Sequence, residues 1–183
     1  AVNNQTYVYG SPGDGKNGAG RVVQIEQGTD FKIEEFKYDL QGNLIEEKKV
    51  ITIPQAGPQE FLTEFNYDPW GRIKWMVYPD GETVNYNYNR TGDLESMTGQ
   101  RAGFNPHDIL KDAQYDGFGN LKSYTYGNQA VTNLTYNVNS RRLTNASVDL
   151  TYSLNSGNLL NKNIVYDDQG NIEQISNTAV PLV

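Results

Sequence analysis

The chain has 183 residues, one His, no Cys and a net charge of −7. This length suits one domain, or a piece of one, and is enough to bury a core. Without Cys, disulfides, thiolate zinc sites and cysteine nucleophiles are excluded, and the acidic balance argues against nucleic-acid binding. We find no apolar run long enough to span a membrane and no signal peptide at the start, so we expect any signal to lie upstream.

The composition favours strands joined by tight turns. The chain contains 21 Asn, 18 Gly and 13 Tyr. Asn and Gly accept the positive φ angles that tight turns need, whereas Tyr favours pleated, half-buried surfaces. The aromatic content also argues against disorder.

A seven-residue motif recurs along the chain. It reads Tyr, Asp or Asn, two variable residues, Gly, a polar residue, and Leu or Ile, and we call the turn that it predicts a YD corner. Intact copies begin at Tyr38, Tyr67, Tyr88, Tyr115 and Tyr166. Two copies are degraded: the one from Tyr136 has Ser140 at the Gly position, and the one from Tyr152 has Gly157 one residue late. The uneven spacing predicts a repeat with variable loops.

Each corner has a physical interpretation as a strand–turn–strand junction. Its Tyr ends one strand, its Asp accepts hydrogen bonds from turn amides, its Gly takes the left-handed conformation, and its Leu or Ile begins the next strand. The predicted structural residues of the corners are Tyr38, Asp39, Gly42, Tyr67, Asp68, Gly71, Tyr88, Asn89, Gly92, Tyr115, Asp116, Gly119, Tyr166, Asp167 and Gly170.

In chain order, the pattern predicts one YD-repeat β domain over residues 1–183. Residues 1–20 are expected to be a glycine-rich loop, the repeats to occupy about 20–176, and 177–183 to be a tail. A short helix around 106–111 is expected, with a loop as the alternative, and Gln55–Gln59 is expected to be irregular. The predicted strands are 21–27, 31–38, 43–53, 60–67, 72–78, 82–88, 93–98, 113–115, 120–126, 130–136, 142–152, 158–166 and 171–176.

A hairpin is predicted around the turn Pro79-Asp80-Gly81, because both flanking segments alternate with period two. Its register has two solutions. A three-residue loop would set Ile73, Trp75 and Val77 beside the Thr and Asn residues of the second strand. A four-residue loop would set them beside its Val and Tyr residues, and burial favours this second register.

The corner motifs YDLQGNL and YDGFGNL, with YDPWGRI followed by YPDGETVNYNY, resemble the YD repeat of bacterial RHS proteins. The same repeat occurs in the BC component of insecticidal toxin complexes and in teneurins. The resemblance implies an all-β fold in which consecutive antiparallel hairpins form a curved, twisted sheet, a segment of a spiral shell. We find no RHS-core segment and no toxin-like C-terminal region, so we expect this chain to be a fragment of the repeat region.

The resemblance implies a non-catalytic shell segment that encapsulates or displays a partner such as a C-terminal toxin. Implied partners are the rest of the parent RHS chain or the toxin cargo, and the implied location is secreted or at the cell surface. Unpaired sheet edges predict self-association. The alternative is an extracellular carbohydrate- or receptor-binding module, in which Trp70 and Phe118 are the candidate ligand-contacting aromatics.

Catalytic, metal and cofactor sites are not predicted. His107 stands alone and is interpreted as a loop residue, since a triad needs a base beside a nucleophile. The repeated Asp39, Asp68, Asp116 and Asp167 suggest glycosidase carboxylates, but their identical place in a turn motif explains them better. The segment 14–18 has turn-forming residues rather than the ligand pattern of a calcium loop.

Overall fold

A computed structural model describes residues 4–27, 32–152 and 155–179. All regular elements in these ranges are β-strands. No helix in them is long and apolar enough to cross a membrane. The strands are β1 (Gln5–Tyr9), β2 (Val22–Gln27), β3 (Lys32–Tyr38), β4 (Leu44–Ile53), β5 (Gly57–Tyr67), β6 (Ile73–Val77), β7 (Thr83–Tyr88), β8 (Leu94–Gln100), β9 (His107–Tyr115), β10 (Leu121–Tyr126), β11 (Ala130–Tyr136), β12 (Leu143–Tyr152), β13 (Asn155–Tyr166) and β14 (Ile172–Asn177).

Each strand is hydrogen-bonded to the strands before and after it in the chain, so sheet order equals chain order from β1 to β14. The pairs are antiparallel, as short connections require. The prediction of an all-β fold made of consecutive antiparallel hairpins is confirmed. From β3 onward, YD corners alternate with connections that lack the YD motif among the described residues.

The contacts divide the chain into two compact units. Unit 1 contains residues 1–85 and 100–105, and unit 2 contains residues 86–99 and 106–183. In unit 1 the corners 39–43 and 68–72 join β3 to β4 and β5 to β6. In unit 2 the corners are 89–93, 116–120, 137–142 and 167–171.

Few side chains are fully buried. Among the described residues, those of low exposure are Val23 and Val84 in unit 1 and Ala113, Ala130 and Thr132 in unit 2. Most other strand residues are half-buried on both faces. In each unit, cross-strand contacts and hydrogen bonds therefore stabilise the sheet more than a thick hydrophobic core does.

Ion pairs connect the strands of unit 1. Lys37 of β3 pairs with Glu46 directly opposite in β4, at 2.7 Å. Lys48 of β4 reaches Glu60 of β5 at 3.0 Å. Opposite charges on neighbouring strands stabilise a sheet modestly.

Two predicted irregular segments are strands instead. Residues 5–9 form β1, which pairs with β2, although residues 1–20 were expected to be a loop. The helix or loop expected at 106–111 is wrong, because β9 begins at His107 and pairs with β8 through Met97 and Leu110. Thr6, Tyr7, Val8 and Tyr9 are strand-forming residue types. The segment 107–115 lacks a strong local strand pattern, so pairing with β8 decides its conformation.

The irregular segment expected at Gln55–Gln59 is shorter than predicted. The turn occupies residues 54–56, and Pro58 already lies in β5, opposite Thr52.

The preferred register of the hairpin around Pro79-Asp80-Gly81 is also wrong. Val77 lies opposite Thr83, and the N–H of Tyr78 donates to the carbonyl of Glu82 at 2.8 Å. The loop therefore has three residues, with Gly81 at a φ of 83°. A type I turn followed by a left-handed residue closes this hairpin, and it places Trp75 beside Asn85. In this register Met76 lies opposite Val84, whose side chain is 2% exposed.

Candidate functional site

The YD corners share one backbone geometry. The N–H of the first corner residue donates to the carbonyl of the fifth, and the N–H of the fourth donates to the carbonyl of the first. At the corner of Asp116 these distances are 2.9 and 3.1 Å. The fourth residue is left-handed, with φ of 82° at Gly119. The same pattern occurs at the corners that begin at Asp39, Asp68, Asn89 and Asp167, with Gly42, Gly71, Gly92 and Gly170 in the fourth position.

The first side chain of a corner holds the fifth residue. Oδ1 of Asp116 accepts the backbone N–H groups of Phe118 at 2.8 Å and of Asn120 at 3.0 Å. Its Oδ2 accepts the side-chain amide of Asn120 at 2.9 Å. The pairs Asp39 with Asn43 and Asp167 with Asn171 have the same geometry. These carboxylates therefore fold their own turns.

Two corners vary this pairing. At the corner of Asp68 the fifth residue is Arg72, whose guanidinium binds Oδ2 of Asp68 at 2.6 and 2.7 Å. At the corner of Asn89 the roles are exchanged. The amide oxygen of Asn89 accepts the backbone N–H of Asp93 at 2.9 Å, and its amide nitrogen faces the Asp93 carboxylate at 3.5 Å. A donor must therefore face an acceptor, and either position can supply the carboxylate.

Hydrogen bonding lowers the pKa of the carboxylates that begin four of the corners. The side-chain amide of Asn120 is the main cause for Asp116, and Asn43 and Asn171 have the same effect on the pKa of Asp39 and of Asp167. For Asp68, burial acts to raise the pKa, but Arg72 reverses that effect and the pKa is lowered. A carboxylate that stays ionised at neutral pH does not act as a general acid.

The corner tyrosines connect each corner to an earlier strand. The hydroxyl of Tyr67 donates to the carbonyl of Leu44, the first residue of β4, at 2.8 Å. Equivalent bonds run from Tyr38 to Val22, Tyr115 to Leu94, Tyr136 to Leu121 and Tyr166 to Leu143, at 2.7 to 3.0 Å. Each acceptor begins a strand next to the one that the tyrosine ends. Tyr88 likewise ends its strand, β7.

Sequence analysis missed these tyrosine bonds. The acceptor lies 15 to 23 residues earlier in the chain, so no local pattern marks it. The only signal was that every corner uses Tyr rather than Phe, although both residues suit a strand end.

The degraded copies differ from the predicted corners. In the copy from Tyr136 the left-handed residue is Arg141, with φ of 60°, rather than Ser140. Its turn has one extra residue, and the N–H of Asn137 donates to the carbonyl of Arg142 at 2.8 Å. The copy from Tyr152 is not a YD corner, because Gly157 lies inside β13 opposite Leu150. Residues 153–154 lie outside the described ranges.

The two candidate ligand-contacting aromatics are exposed. Trp70 is 79% and Phe118 is 71% exposed. Each lies beside an arginine: the Arg72 guanidinium is 5.1 Å from the Trp70 ring centroid, and that of Arg141 is 3.1 Å from the Phe118 ring centroid. The guanidinium covers one face of the ring, so a ligand would have to use the other face or displace the arginine.

The other candidate residues lie in a strand or a turn and are not grouped into a site. His107 is the first residue of β9, opposite Gly99, rather than a loop residue. Asp14 accepts the backbone N–H of Lys16 at 2.8 Å, so its carboxylate organises a turn. Within the described ranges, no group of three or more His, Asp or Glu side chains is placed to hold a metal ion.

Comparison with known proteins gives a structural match only. No model of a protein family and no curated protein matches the sequence. The crystal structure of TcdB2-TccC3 matches 96% of this chain with a TM-score of 0.75 and 17% identity. The crystal structure of TcdB2-TccC3 without its hypervariable C-terminal region matches 95% of this chain, with a TM-score of 0.75 and 18% sequence identity. The structure of the Photorhabdus luminescens Tc holotoxin pore matches 96% of this chain, with a TM-score of 0.74 and 17% sequence identity.

This chain spans 9% of the length of each of those chains. At such low identity the match concerns the fold. Together with the repeated corner geometry, it confirms the resemblance noted in the sequence at the level of fold: the chain has the fold of the matched segment of TcdB2-TccC3.

Proposed function

We propose that this chain is a non-catalytic structural segment of an RHS/YD-repeat shell. The observation that carries the proposal is the use of the corner side chains for the sheet's own hydrogen bonds. Corner carboxylates hold turn amides, and corner tyrosines hold carbonyls of an adjacent strand. These carboxylates and hydroxyls therefore already have hydrogen-bond partners within the sheet.

The arrangement of carboxylates supports a role without catalysis. A glycosidase needs two carboxyl groups that face each other across a substrate, with pKa values set apart. Here Asp39, Asp116 and Asp167 each bind a partner in their own corner, and their pKa values move in the same direction. Such a series suits turn stabilisation rather than acid–base chemistry.

The larger chains that share this fold suggest, by analogy, what such a shell segment contacts. We propose that it encloses or displays a partner such as a C-terminal toxin, within the rest of a parent RHS chain. The location consistent with that role is secreted or at the cell surface. No nucleic-acid partner or cofactor is proposed.

Electron cryo-microscopy of the natural polypeptide that carries these residues would test the shell role. We expect β1 and β14 each to pair with a further strand, and one face of the sheet to border a cavity that contains cargo density. A natural polypeptide in which both faces contact solvent, or in which a substrate occupies a YD corner, would contradict the proposal.

The exposure of Trp70 supports a second candidate function, binding of an extracellular carbohydrate or receptor. An exposed indole stacks well on a sugar ring. A glycan array with the purified chain tests it, with Trp70→Ala and Phe118→Ala as variants. Leu40→Ala is the matched control, because Leu40 is an equally exposed apolar corner residue. Binding that both aromatic variants retain would remove this candidate.

A further inference from the structure

In each unit a groove separates two consecutive YD corners. In unit 2, a groove of about 600 Å³ lies between corners 89–93 and 116–120 and is lined in part by Asp93, Glu95 and Tyr115. We call it the acidic groove. In unit 1, a groove of about 700 Å³ lies at the equivalent place, between corners 39–43 and 68–72.

In two other places an arginine of the chain occupies the equivalent position. The guanidinium of Arg21 lies over the ring of Tyr38 at 5.6 Å, and that of Arg142 lies over the ring of Tyr166 at 5.4 Å. Each arginine immediately precedes the strand residue whose carbonyl accepts the hydroxyl of that tyrosine. One filled position belongs to each unit.

The glycines of the corners show which positions are filled. A Cβ added at Gly42 would meet the guanidinium of Arg21, and one at Gly170 would meet that of Arg142. A Cβ added at Gly71 or at Gly119 would meet nothing within 4 Å. The equivalent space is therefore open at these two corners.

The residue that ends the preceding corner differs between the filled and the open position in unit 2. It is Arg142 before the filled position in unit 2, and the shorter Asp93 before the acidic groove. The first residues of these two preceding corners are alike, Asn137 and Asn89. Asp93 therefore leaves the space that an arginine side chain fills elsewhere in the same unit.

Charge makes the acidic groove the better cation site. Asp93 and the exposed Glu95 place two carboxylates at its wall. Asp116 adds a third, which also lies 3.8 Å from Arg141 outside the groove. Burial, and then the Asp93 carboxylate, raise the pKa of Tyr115, which agrees with a negative charge near its hydroxyl. In the unit 1 groove, Arg72 already neutralises Asp68 at 2.6 Å.

We propose that the acidic groove binds an arginine side chain of a partner polypeptide. The guanidinium would lie over the ring of Tyr115 and against Gly119, as Arg142 lies over Tyr166 and against Gly170. Asp93 and Glu95 would supply the counter-charge. Arginine suits this place better than lysine because its planar group stacks on an aromatic ring while its N–H groups bind carboxylates. This inference does not depend on the proposed function.

Titration of the isotope-labelled chain with N-acetyl-arginine amide, followed by NMR, tests the proposal. We expect a saturable shift of the Gly119 amide, with an affinity on the order of millimolar for a single side chain. Gly71 should shift less, and Gly42 and Gly170 should not respond, because their positions are already filled. N-acetyl-citrulline amide has nearly the same shape without the charge and is the ligand control. Equal shifts with citrulline would overturn the proposal.

Two variants make the test specific. Asp93→Arg places an arginine directly before Leu94, as Arg142 lies directly before Leu143, so the chain's own guanidinium should fill the groove and abolish the Gly119 response. Glu95→Gln, at an exposed strand position, should weaken binding about threefold to fivefold, since one surface charge contributes modestly. Thermal unfolding shows that each variant is folded. If Asp93→Arg does not fold, Glu95→Gln decides, and unchanged affinity in the folded variants contradicts the proposal.

Discussion

At the scale of single residues, the corner is built on a matched pair of side chains. Asp116 accepts from Asn120, whereas Asn89 faces Asp93 with the roles exchanged. A carboxylate opposite an amide or a guanidinium satisfies both groups, because hydrogen bonds to an ionised acceptor are stronger than those between neutral groups. Sequence analysis predicted the first partner, as a turn-forming Asp, but not the fifth, because many polar residues suit that position.

The paired carboxylates predict acid sensitivity. The pKa values of Asp39, Asp116 and Asp167 lie below their ordinary value of 3.8 in the folded chain. The unfolded chain therefore takes up protons first as the pH falls below about 4, and stability is lost progressively down to the folded pKa values. Urea unfolding between pH 7 and pH 2.5 measures this. A midpoint that is constant over that range would contradict the prediction.

The pairing of Asn89 with Asp93 predicts that a second substitution restores the stability lost on substituting Asn120. Asn120→Asp places a second carboxylate against Asp116, so like-charge repulsion should lower the midpoint of thermal unfolding at pH 7. Adding Asp116→Asn creates the arrangement of Asn89 and Asp93 and should restore most of the midpoint. Asn89→Asp is the matched control and should cause the same loss in its own corner. If the double variant is no more stable than Asn120→Asp, the stability of the corner does not depend on pairing a carboxylate with an amide, and the prediction is wrong.

At the scale of the elements, each corner combines a local turn with a non-local bond. The turn follows from Asp and Gly at fixed offsets, which is why sequence analysis located the intact corners. The bond from the corner tyrosine ends on an adjacent strand, for example from Tyr67 to Leu44. Repeated within a unit, these bonds connect successive hairpins that have little buried core between them.

The tyrosine bond predicts a measurable cost of removing one hydroxyl. Tyr67→Phe leaves the ring in place and leaves the Leu44 carbonyl without this donor. The free energy of unfolding should fall by about 1 kcal/mol, the usual net value of such a bond. Tyr9→Phe, at an exposed tyrosine of β1, is the control and should be neutral. Chemical denaturation measures both, and equal effects would argue against the role of the bond.

The positive φ of Gly119 predicts that replacing it by a residue with a Cβ destabilises the fold. Gly119 has φ of 82°, and a Cβ there would meet nothing within 4 Å. Gly119→Ala should therefore destabilise by about 1–2 kcal/mol through backbone strain alone. Gly117→Ala in the same corner is the control, because Gly117 lacks a positive φ and also has open space. If both variants have the same stability, the strain argument is wrong.

At the scale of the whole molecule, the terminal strands have one neighbour each among the described residues. β1 pairs with β2, and β14 pairs with β13. Both carry exposed apolar side chains, including Tyr9 and Ile175. Neither contains Pro or Lys, the residues that commonly protect sheet edges.

These edges predict self-association of the isolated chain. Sedimentation velocity should show concentration-dependent dimers or larger species, because unpaired backbone groups on an edge strand accept another strand. Val8→Lys and Ile175→Lys should each reduce association by blunting one edge. Thr6→Ser, a mild change in the same β1 strand, is the control. A chain that stays monomeric at high concentration would contradict the prediction.

Local chemistry was sufficient to predict most of the strands, the five intact corners and the fold class. Period-two alternation and an Asp–Gly turn act over a few residues, so the printed sequence contains all that they need. Long-range pairing decided the rest: β9 at 107–115, the three-residue hairpin loop beside Val77, and the acceptor of each corner tyrosine. The same holds for the position that Arg142 fills and Asp93 leaves open. These features join residues far apart in the chain, and only the folded sheet determines which strand a residue meets.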